Sequence, residues 1–350
     1  MGLLKTFLEK SFSVGRFGKD WLDRLLGSLA DAARSISYIE TVNPSQADTL
    51  HREIKRSDER WLKRGFEACV RFALLKLPFR NRKVKVAIDT TEDPYWGKNG
   101  CDNTRPPVHE ISNESWQWTN LSIVEPYFVP LMSLPYRQTD DLDEVVFELL
   151  EYLQTLPLHI ELVLFDRGFY HWRLIDYLNG SRRGWSWPYL IFVPKNEAMQ
   201  RFIEQTDGAF AVYRHQGQHK ADKTKWCPET TIVILIGATK NKLGEPIDWC
   251  FATNQRAHLG LVKTYMKRWN IETGFRIHDE GKIKTKSADP LVRFFYHLVS
   301  MLFILIWRLQ RVTLPMLSFK RQLKLIEMSF CEETKPPPWT VAWMKTVHIV

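Results

Sequence analysis

The chain has few cysteines, and none of them has the spacing that metal sites use. Five of its 350 residues are cysteine, and no two form a CxxC pair. An odd, scattered set excludes a disulfide framework and argues against a structural zinc site. Reduced thiols in a cytoplasmic protein are therefore the expectation.

A long apolar run is also missing. The first ten residues contain neither the apolar stretch nor the small-residue cleavage site of a secretory leader. The most apolar segment, residues 298–307, lies between His297 and Arg308 and is shorter than the roughly 20 residues that span a bilayer. We therefore expect a core helix there and no membrane partner. Internal repeats are absent as well.

Acidic residues are outnumbered by basic ones. Lys and Arg total 49 against 40 Asp and Glu, which gives a net charge of +9 and a pI near 9.2, and the chain has 14 Trp. A basic, aromatic chain favours a polyanionic partner, nucleic acid first and a membrane surface second. Because many basic proteins bind neither, charge alone does not decide.

The periodicity of apolar residues predicts a mixed α/β sheet with helices on its faces. Residues 1–80 form a basic helical region whose faces either contact DNA or are simply solvated. Strands then alternate with helices, a polar loop is expected at 90–107, and the chain is helical again over 261–314. We predict a core of residues 81–188 and 254–315, a β-rich insertion at 189–253 and an extended tail at 316–350.

Two aspartates end apolar strands. Asp89 follows residues 84–88, and its competitors are Glu92 and Asp93, of which Asp93 precedes Pro94 and is expected to form a turn. Asp166 follows residues 160–165 and precedes an Arg-Gly pair, at the sheet edge where α/β proteins build sites. The alternatives are a turn or cap for Asp89 and an N-cap for Asp166.

A glutamate surrounded by cations lies later in the chain. Tyr265, Arg268, Glu272 and Arg276 follow at steps of three, four and four, which places them on one helix face. Such a glutamate suits a metal ligand whose neighbours contact phosphates, although a set of surface ion pairs would have the same spacing. The basic strip continues through Lys282, Lys284 and Lys286.

These blocks together resemble the DDE transposases of prokaryotic insertion sequences, in the branch with a Tyr-Arg-Glu-Lys signature. The resemblance covers residues 84–307. One position departs from it: seven residues after Glu272 the family has lysine and this chain has Asp279, so that Arg276 or Lys282 would supply the charge. The blocks that carry the resemblance are Ala87-Ile88-Asp89-Thr90-Thr91, Phe165-Asp166-Arg167-Gly168-Phe169-Tyr170, Tyr265-x-x-Arg268-Trp269-x-Ile271-Glu272-Thr273-x-Phe275-Arg276 and Ile283-Lys284-Thr285-Lys286-Ser287.

The resemblance implies a ribonuclease-H-like fold with a β-strand-rich insertion before the final catalytic helix. It implies that Asp89, Asp166 and Glu272 hold two Mg²⁺ ions, for which Mn²⁺ can substitute. The partners would be double-stranded DNA, as terminal inverted repeats and target, and a second copy of the chain in a synaptic complex at the nucleoid. Phosphate contacts would come from Tyr265, Arg268, Arg276, Lys282, Lys284 and Lys286; base-stacking candidates, with core packing as the alternative, are Trp185, Trp187, Trp226 and Trp249.

Two other functions stay open at this point. A ribonuclease-H-like nuclease or resolvase would use the same acids only for hydrolysis. A non-catalytic DNA-binding remnant of a mobile element would keep the fold without activity, although all three acids are present.

Overall fold

The computed structural model describes residues 2–11, 19–35, 38–79, 82–95, 103–107, 112–180, 184–216 and 229–328. Trp226 and residues 329–350 of the predicted tail lie outside these ranges. The helices are α1 Gly2–Ser11, α2 Lys19–Ser35, α3 Ile39–Val42, α4 Pro44–Arg56, α5 Glu59–Lys76, α6 Leu142–Gln154, α7 Trp172–Leu178, α8 Glu197–Glu204, α9 Gly260–Met266, α10 Trp269–Glu280, α11 Pro290–Gln310 and α12 Phe319–Met328. The strands are β1 Lys83–Tyr95, β2 Glu114–Glu125, β3 Val129–Pro135, β4 His159–Phe165, β5 Tyr189–Phe192, β6 Phe210–His215, β7 Thr230–Lys240 and β8 Pro246–Thr253.

Within the described ranges the strands form one eight-stranded mixed sheet. Its order is β3-β2-β1-β4-β5-β8-β7-β6. Strands β1, β4 and β5 run parallel, and the remaining neighbours pair antiparallel. The sheet runs unbroken across the boundary predicted at residue 188, because β5 pairs with β4 and β8 pairs with β5. The domain boundaries themselves stay predictions.

The polar loop predicted from residue 90 is wrong in its first part. Strand β1 continues to Tyr95 and pairs with β2 along its length, from Asp89↔Asn120 to Tyr95↔Glu114. The polar side chains of residues 89–93 misled the prediction, since polarity usually marks a loop. Here β2 satisfies the backbone, and the polar side chains lie where the sheet meets α10 and α11.

The helical region predicted over residues 261–314 consists of three helices, α9, α10 and α11. Gly281 ends α10, an extended segment follows, and Pro290 begins α11 with Asp289 as its N-cap, whose Oδ1 accepts from the Leu291 and Val292 amides. Proline at the first helical position and an aspartate cap are typical helix starts. Residues 281–289 therefore form an extended segment that joins α10 to α11 and belongs to neither helix.

Helix α11 is the centre of the core. By length and hydropathy it would pass as a membrane span, but 83% of its apolar window is buried against the rest of the chain. The basic N-terminal helices pack on it, with the Phe7 and Phe295 rings stacked at 5.6 Å. Residues 319–328 of the tail are helical rather than extended, because α12 buries Leu323 and Ile326 and joins α2 through Arg34 and Glu327, at 2.9 Å.

Candidate active site

Asp89 and Asp166 are brought together by the parallel pairing of β1 and β4. The last pair in the register is Ile88 opposite Phe165, so the next residue on each strand is an aspartate. Parallel neighbours lie roughly 4.8 Å apart, so the two aspartates are side by side. Asp166 follows the end of β4 as predicted, but Asp89 lies within β1, which continues to Tyr95, so the predicted strand end at Asp89 is wrong.

The capping alternative for Asp166 is not supported. Asp166 precedes a 3-10 turn, Arg167–Phe169, but its side chain caps no backbone amide of that turn. Its Oδ1 instead accepts a hydrogen bond from the Tyr265 hydroxyl over 3.1 Å. The carboxylate is thus directed at the neighbouring helices and not at its own turn.

Glu272 reaches the same place through Arg268. The Arg268 guanidinium donates from Nη1 to Asp89 Oδ2 over 3.0 Å and from Nη2 to Glu272 Oε1 over 2.9 Å. The Arg268 and Asp89 side chains are only 7% and 16% exposed, so their ion pair is buried, whereas the Glu272 end of the bridge is half exposed. Tyr265 and Arg268 therefore connect all three acids.

The position of α10 depends on close packing against β2 and against Phe128, which lies between β2 and β3. A Cβ at Gly274 would lie 2.3 Å from Phe128 Cε2, so only glycine allows the helix to approach this closely. Asn270 Nδ2 adds a hydrogen bond to the Val124 carbonyl at 2.8 Å. Neither residue was singled out from the sequence, because their role appears only when helix and strand meet.

Burial and like charge both act on Asp89. The pKa of Asp89 is raised to about 6: burial is the largest cause, the neighbouring Asp166 and Glu272 carboxylates add to it, and Arg268 and the Thr90 amide oppose it. For Arg268, burial acts to lower the pKa, but Tyr265, Asp89 and Asp166 outweigh it and the pKa is raised. The site holds more negative than positive charge, and a cation would relieve that repulsion.

Carboxylate oxygens are the ligands that Mg²⁺ prefers, so the donor set fits the predicted metal. The arrangement does not yet fit it. In the described part of the chain no three Asp, Glu, His or Cys side chains converge closely enough to hold an ion, because the Arg268 guanidinium lies between Asp89 and Glu272. Metal binding would require Arg268 to leave that place.

The remaining predicted cations are spread along the sheet edge. Arg276 is exposed one turn after Glu272, and Lys284 and Lys286 are exposed on the extended segment. Lys282 is paired with Asp93. Asp93 therefore is not the turn former that its sequence position suggested; it lies within β1, and although burial acts to raise its pKa, Lys282 and His297 lower it.

The tryptophans of the β-rich segment are mostly structural. Trp187 is buried, and Trp249 packs against Phe192 while donating from Nε1 to Thr239 at 2.8 Å. Trp185 is 36% exposed and packs edge-on against Trp187. Trp269 follows Arg268 directly and is half exposed. It was not proposed for stacking, although its position outside the buried face of α10 was the signal that could have identified it.

The comparisons with known proteins concern the fold. No family model and no curated protein matches the chain. The cryo-EM structure of the piggyBac transposase synaptic complex with hairpin DNA matches with a TM-score of 0.56, over 94% of this chain and 76% of that one. The chain shares its fold with piggyBac transposase.

Identity between the two sequences is 12%, so the likeness is one of backbone and not of side chains. The mixed α/β architecture with its eight-stranded sheet is consistent with the ribonuclease-H-like fold of piggyBac transposase. This confirms the coarse fold prediction. The prokaryotic branch and the roles of Asp89, Asp166 and Glu272 stay predictions.

Proposed function

We propose that this chain is a transposase that cleaves transposon-end DNA and joins the freed 3′ end to target DNA. The observation that carries the proposal is the set of hydrogen bonds by which Tyr265 and Arg268 link Asp89, Asp166 and Glu272. These residues lie where β1 pairs with β4, in a fold shared with a transposase solved in a synaptic complex with hairpin DNA. We assign the chain to the prokaryotic branch on its Tyr-Arg-Glu block.

The three acids are the proposed ligands of two Mg²⁺ ions, with Mn²⁺ as a substitute. When bound, the ions would activate water or a 3′-hydroxyl and stabilise the leaving oxygen. With Asp89 and Glu272 as metal ligands, Arg268 would lose its present partners, and its guanidinium would be free to contact a phosphate oxygen beside the break, where bidentate contact is favourable. Tyr265 holds Asp166 in position throughout.

Charge and partners follow from the same proposal. Arg276, Lys284 and Lys286 are exposed and are the proposed phosphate contacts, whereas Lys282 is held by Asp93. Terminal inverted repeats, target DNA and a second copy of the chain are the proposed partners, at the nucleoid in the cytoplasm. Inverted repeats in the DNA flanking the coding sequence would supply the substrate.

The test compares hydrolysis with joining. The full chain, Mg²⁺, a duplex bearing the flanking repeats and a supercoiled plasmid are incubated together, and products are resolved on denaturing gels. Plasmid carrying the labelled 3′ end supports a transposase. Cleaved ends without joined product would support the hydrolase alternative. DNA that stays intact would support the alternative of a non-catalytic DNA-binding protein.

A further inference from the structure

A cavity of about 550 Å³ lies at the carboxyl end of β1, beyond Asp89, and its lining includes two of the proposed phosphate contacts, Lys284 and Lys286. Its walls come from the end of β1, the extended segment 281–289, the start of α11 and Tyr38. The volume lies in the range of small-ligand sites. Asp89 and Asp93 stand on the same face of β1, so cavity and acids are separated by about 13 Å.

Cations dominate this cavity. Lys282, Lys284, Lys286 and Arg293 line it, against one carboxylate, Asp93, that is already paired with Lys282. Arg293 is held by a hydrogen bond from its Nε to the Ser287 carbonyl at 2.7 Å. Among the residues described, the Arg293 Nη groups have no hydrogen-bond partner. Burial lowers the pKa of Arg293. A bound anion would compensate that buried charge.

The cationic wall is fixed before any ligand arrives. The Ile39 amide donates to the Lys284 carbonyl at 3.0 Å, and the Lys286 amide donates to Glu40 Oε1 at 3.0 Å. Thr285 donates to the same carboxylate. Helix α3 thus holds residues 284–286 in place through these hydrogen bonds. A site whose residues are already ordered loses little conformational entropy when a ligand binds.

Aromatic rings complete the cavity. Tyr38 is 44% exposed at its mouth, with the Lys286 ammonium 5.5 Å from the ring centroid. Tyr95 stands deeper, edge-on to Trp116. An open ring beside a cation offers a stacking face and a phosphate contact together, the combination by which proteins hold single-stranded nucleotides.

We propose that this cavity binds one unpaired nucleotide of the DNA strand that enters the acid cluster. Its phosphate contacts Lys286 and Arg293, and its base stacks on Tyr38. The inference rests on the proposed function for the identity of the strand. At about 3.4 Å per nucleotide along a duplex, the cavity is within roughly four nucleotides of the acids.

The experiment measures binding of the full chain in EDTA by fluorescence anisotropy, so that no cleavage occurs. The probes are fluorescein-labelled tetrathymidylate and the same phosphate chain without bases. Tyr38→Ala is compared with Phe210→Ala, a half-exposed ring on β6, five strands from β1. Lys286→Ala is compared with Lys320→Ala, whose side chain is 75% exposed on α12. Circular dichroism verifies that all four variants fold.

Tyr38→Ala is expected to raise the Kd for tetrathymidylate about tenfold and to leave the abasic probe unchanged. Lys286→Ala is expected to weaken both probes and to lower the slope of log Kd on log salt by about 0.7. A tetranucleotide carrying 5-iododeoxyuridine should photo-crosslink to the Tyr38 peptide. Equal Kd values for Tyr38→Ala and Phe210→Ala would overturn the inference.

Two further outcomes separate this inference from the proposed function. Free thymidine monophosphate that competes as strongly as the oligonucleotide would mean a free-nucleotide site and overturn the DNA assignment. Tyr38-dependent binding in a chain that never cleaves DNA in Mg²⁺ would support the nucleotide site while the transposase proposal fails. Cleavage without Tyr38-dependent binding would remove this inference alone.

Discussion

Arg268 lies against Asp89, with Nη1 3.0 Å from Oδ2, although 179 residues of chain separate the two. The same guanidinium holds Glu272. A buried cation therefore occupies the place between two carboxylates that the proposed metal ions would need. Metal loading and release of Arg268 are expected to be linked, and a DNA phosphate is the natural partner for the released guanidinium.

Arg268→Ala tests this linkage. Removal of one partner of a buried ion pair leaves uncompensated carboxylates, so the free energy of unfolding in EDTA should fall by about 3 kcal/mol. Mn²⁺ should recover more stability in the variant than in the parent, because no cation has to be displaced. Urea denaturation with and without Mn²⁺ measures both effects.

Arg276→Ala is the matched control for that experiment. Its side chain is exposed one turn along α10, and its effect should stay within about 0.5 kcal/mol. If Arg268→Ala and Arg276→Ala have the same free energy of unfolding and the same response to Mn²⁺, then the Arg268 guanidinium does not compete with metal for the carboxylates.

Asp89 makes metal-free stability depend on pH. Its folded pKa, about 6, lies above its ordinary value of 3.8. The folded state therefore binds this proton more tightly than the unfolded state does, and ionised Asp89 destabilises the fold above about pH 6. As pH falls from 7 towards 4, the parent should gain about 2 kcal/mol relative to Asp89→Asn.

Denaturant melts of both proteins in EDTA across this range give the difference directly. Asp279→Asn makes the same charge change on an exposed side chain of α10 and serves as control. If the difference in unfolding free energy between the parent and Asp89→Asn stays constant from pH 7 to pH 4, Asp89 is not a buried carboxylate repelled by its neighbours.

Gly274→Ala should displace the helix that carries Glu272. The new Cβ would overlap the Phe128 ring, and overpacking of this kind costs about 1–3 kcal/mol. Gly168→Ala is the control, since nothing lies within 4 Å of a Cβ there. Thermal unfolding measures both. A second substitution, Phe128→Leu, should restore part of the loss; no restoration would mean that the helix is positioned by other contacts.

Lys282→Ala should leave Asp93 as a buried, unpaired charge. We expect a loss of about 3 kcal/mol in unfolding free energy, of which the double variant Asp93→Ala/Lys282→Ala recovers a part. Lys195→Ala breaks a more exposed ion pair with Asp248, 3.0 Å apart, and should lose less than about 1 kcal/mol. Equal losses for the two lysine variants would contradict a buried pair.

The sequence predicted what depends on local pattern. The strand that ends before Asp166 and the Tyr-Arg-Glu block were recognisable because periodicity and spacing are written in consecutive residues. The coarse α/β sheet followed from the order of strands and helices. Gly281 and Pro290 also signalled the break between α10 and α11, but the apolar periodicity on both sides obscured it.

What depends on contacts between distant segments was not predictable. Arg268 was expected to contact phosphate, and its bridge to Asp89 required knowing that α10 lies across β1. Asp93 looked like a loop residue because its partner Lys282 comes 189 residues later. The cavity at Tyr38 combines three separate stretches of chain, and none of them marks a site alone.

The most direct test of the central claim is metal-dependent cleavage of end DNA by Asp166→Asn. Asp166 accepts a hydrogen bond from Tyr265, and Asn keeps an oxygen for it and preserves the side-chain shape while removing the charge. The parent and Asp279→Asn should cleave and join the labelled end in Mg²⁺, whereas Asp166→Asn should be slower by more than about a hundredfold. Asp166→Asn that cleaves as fast as the parent would contradict the three-acid site.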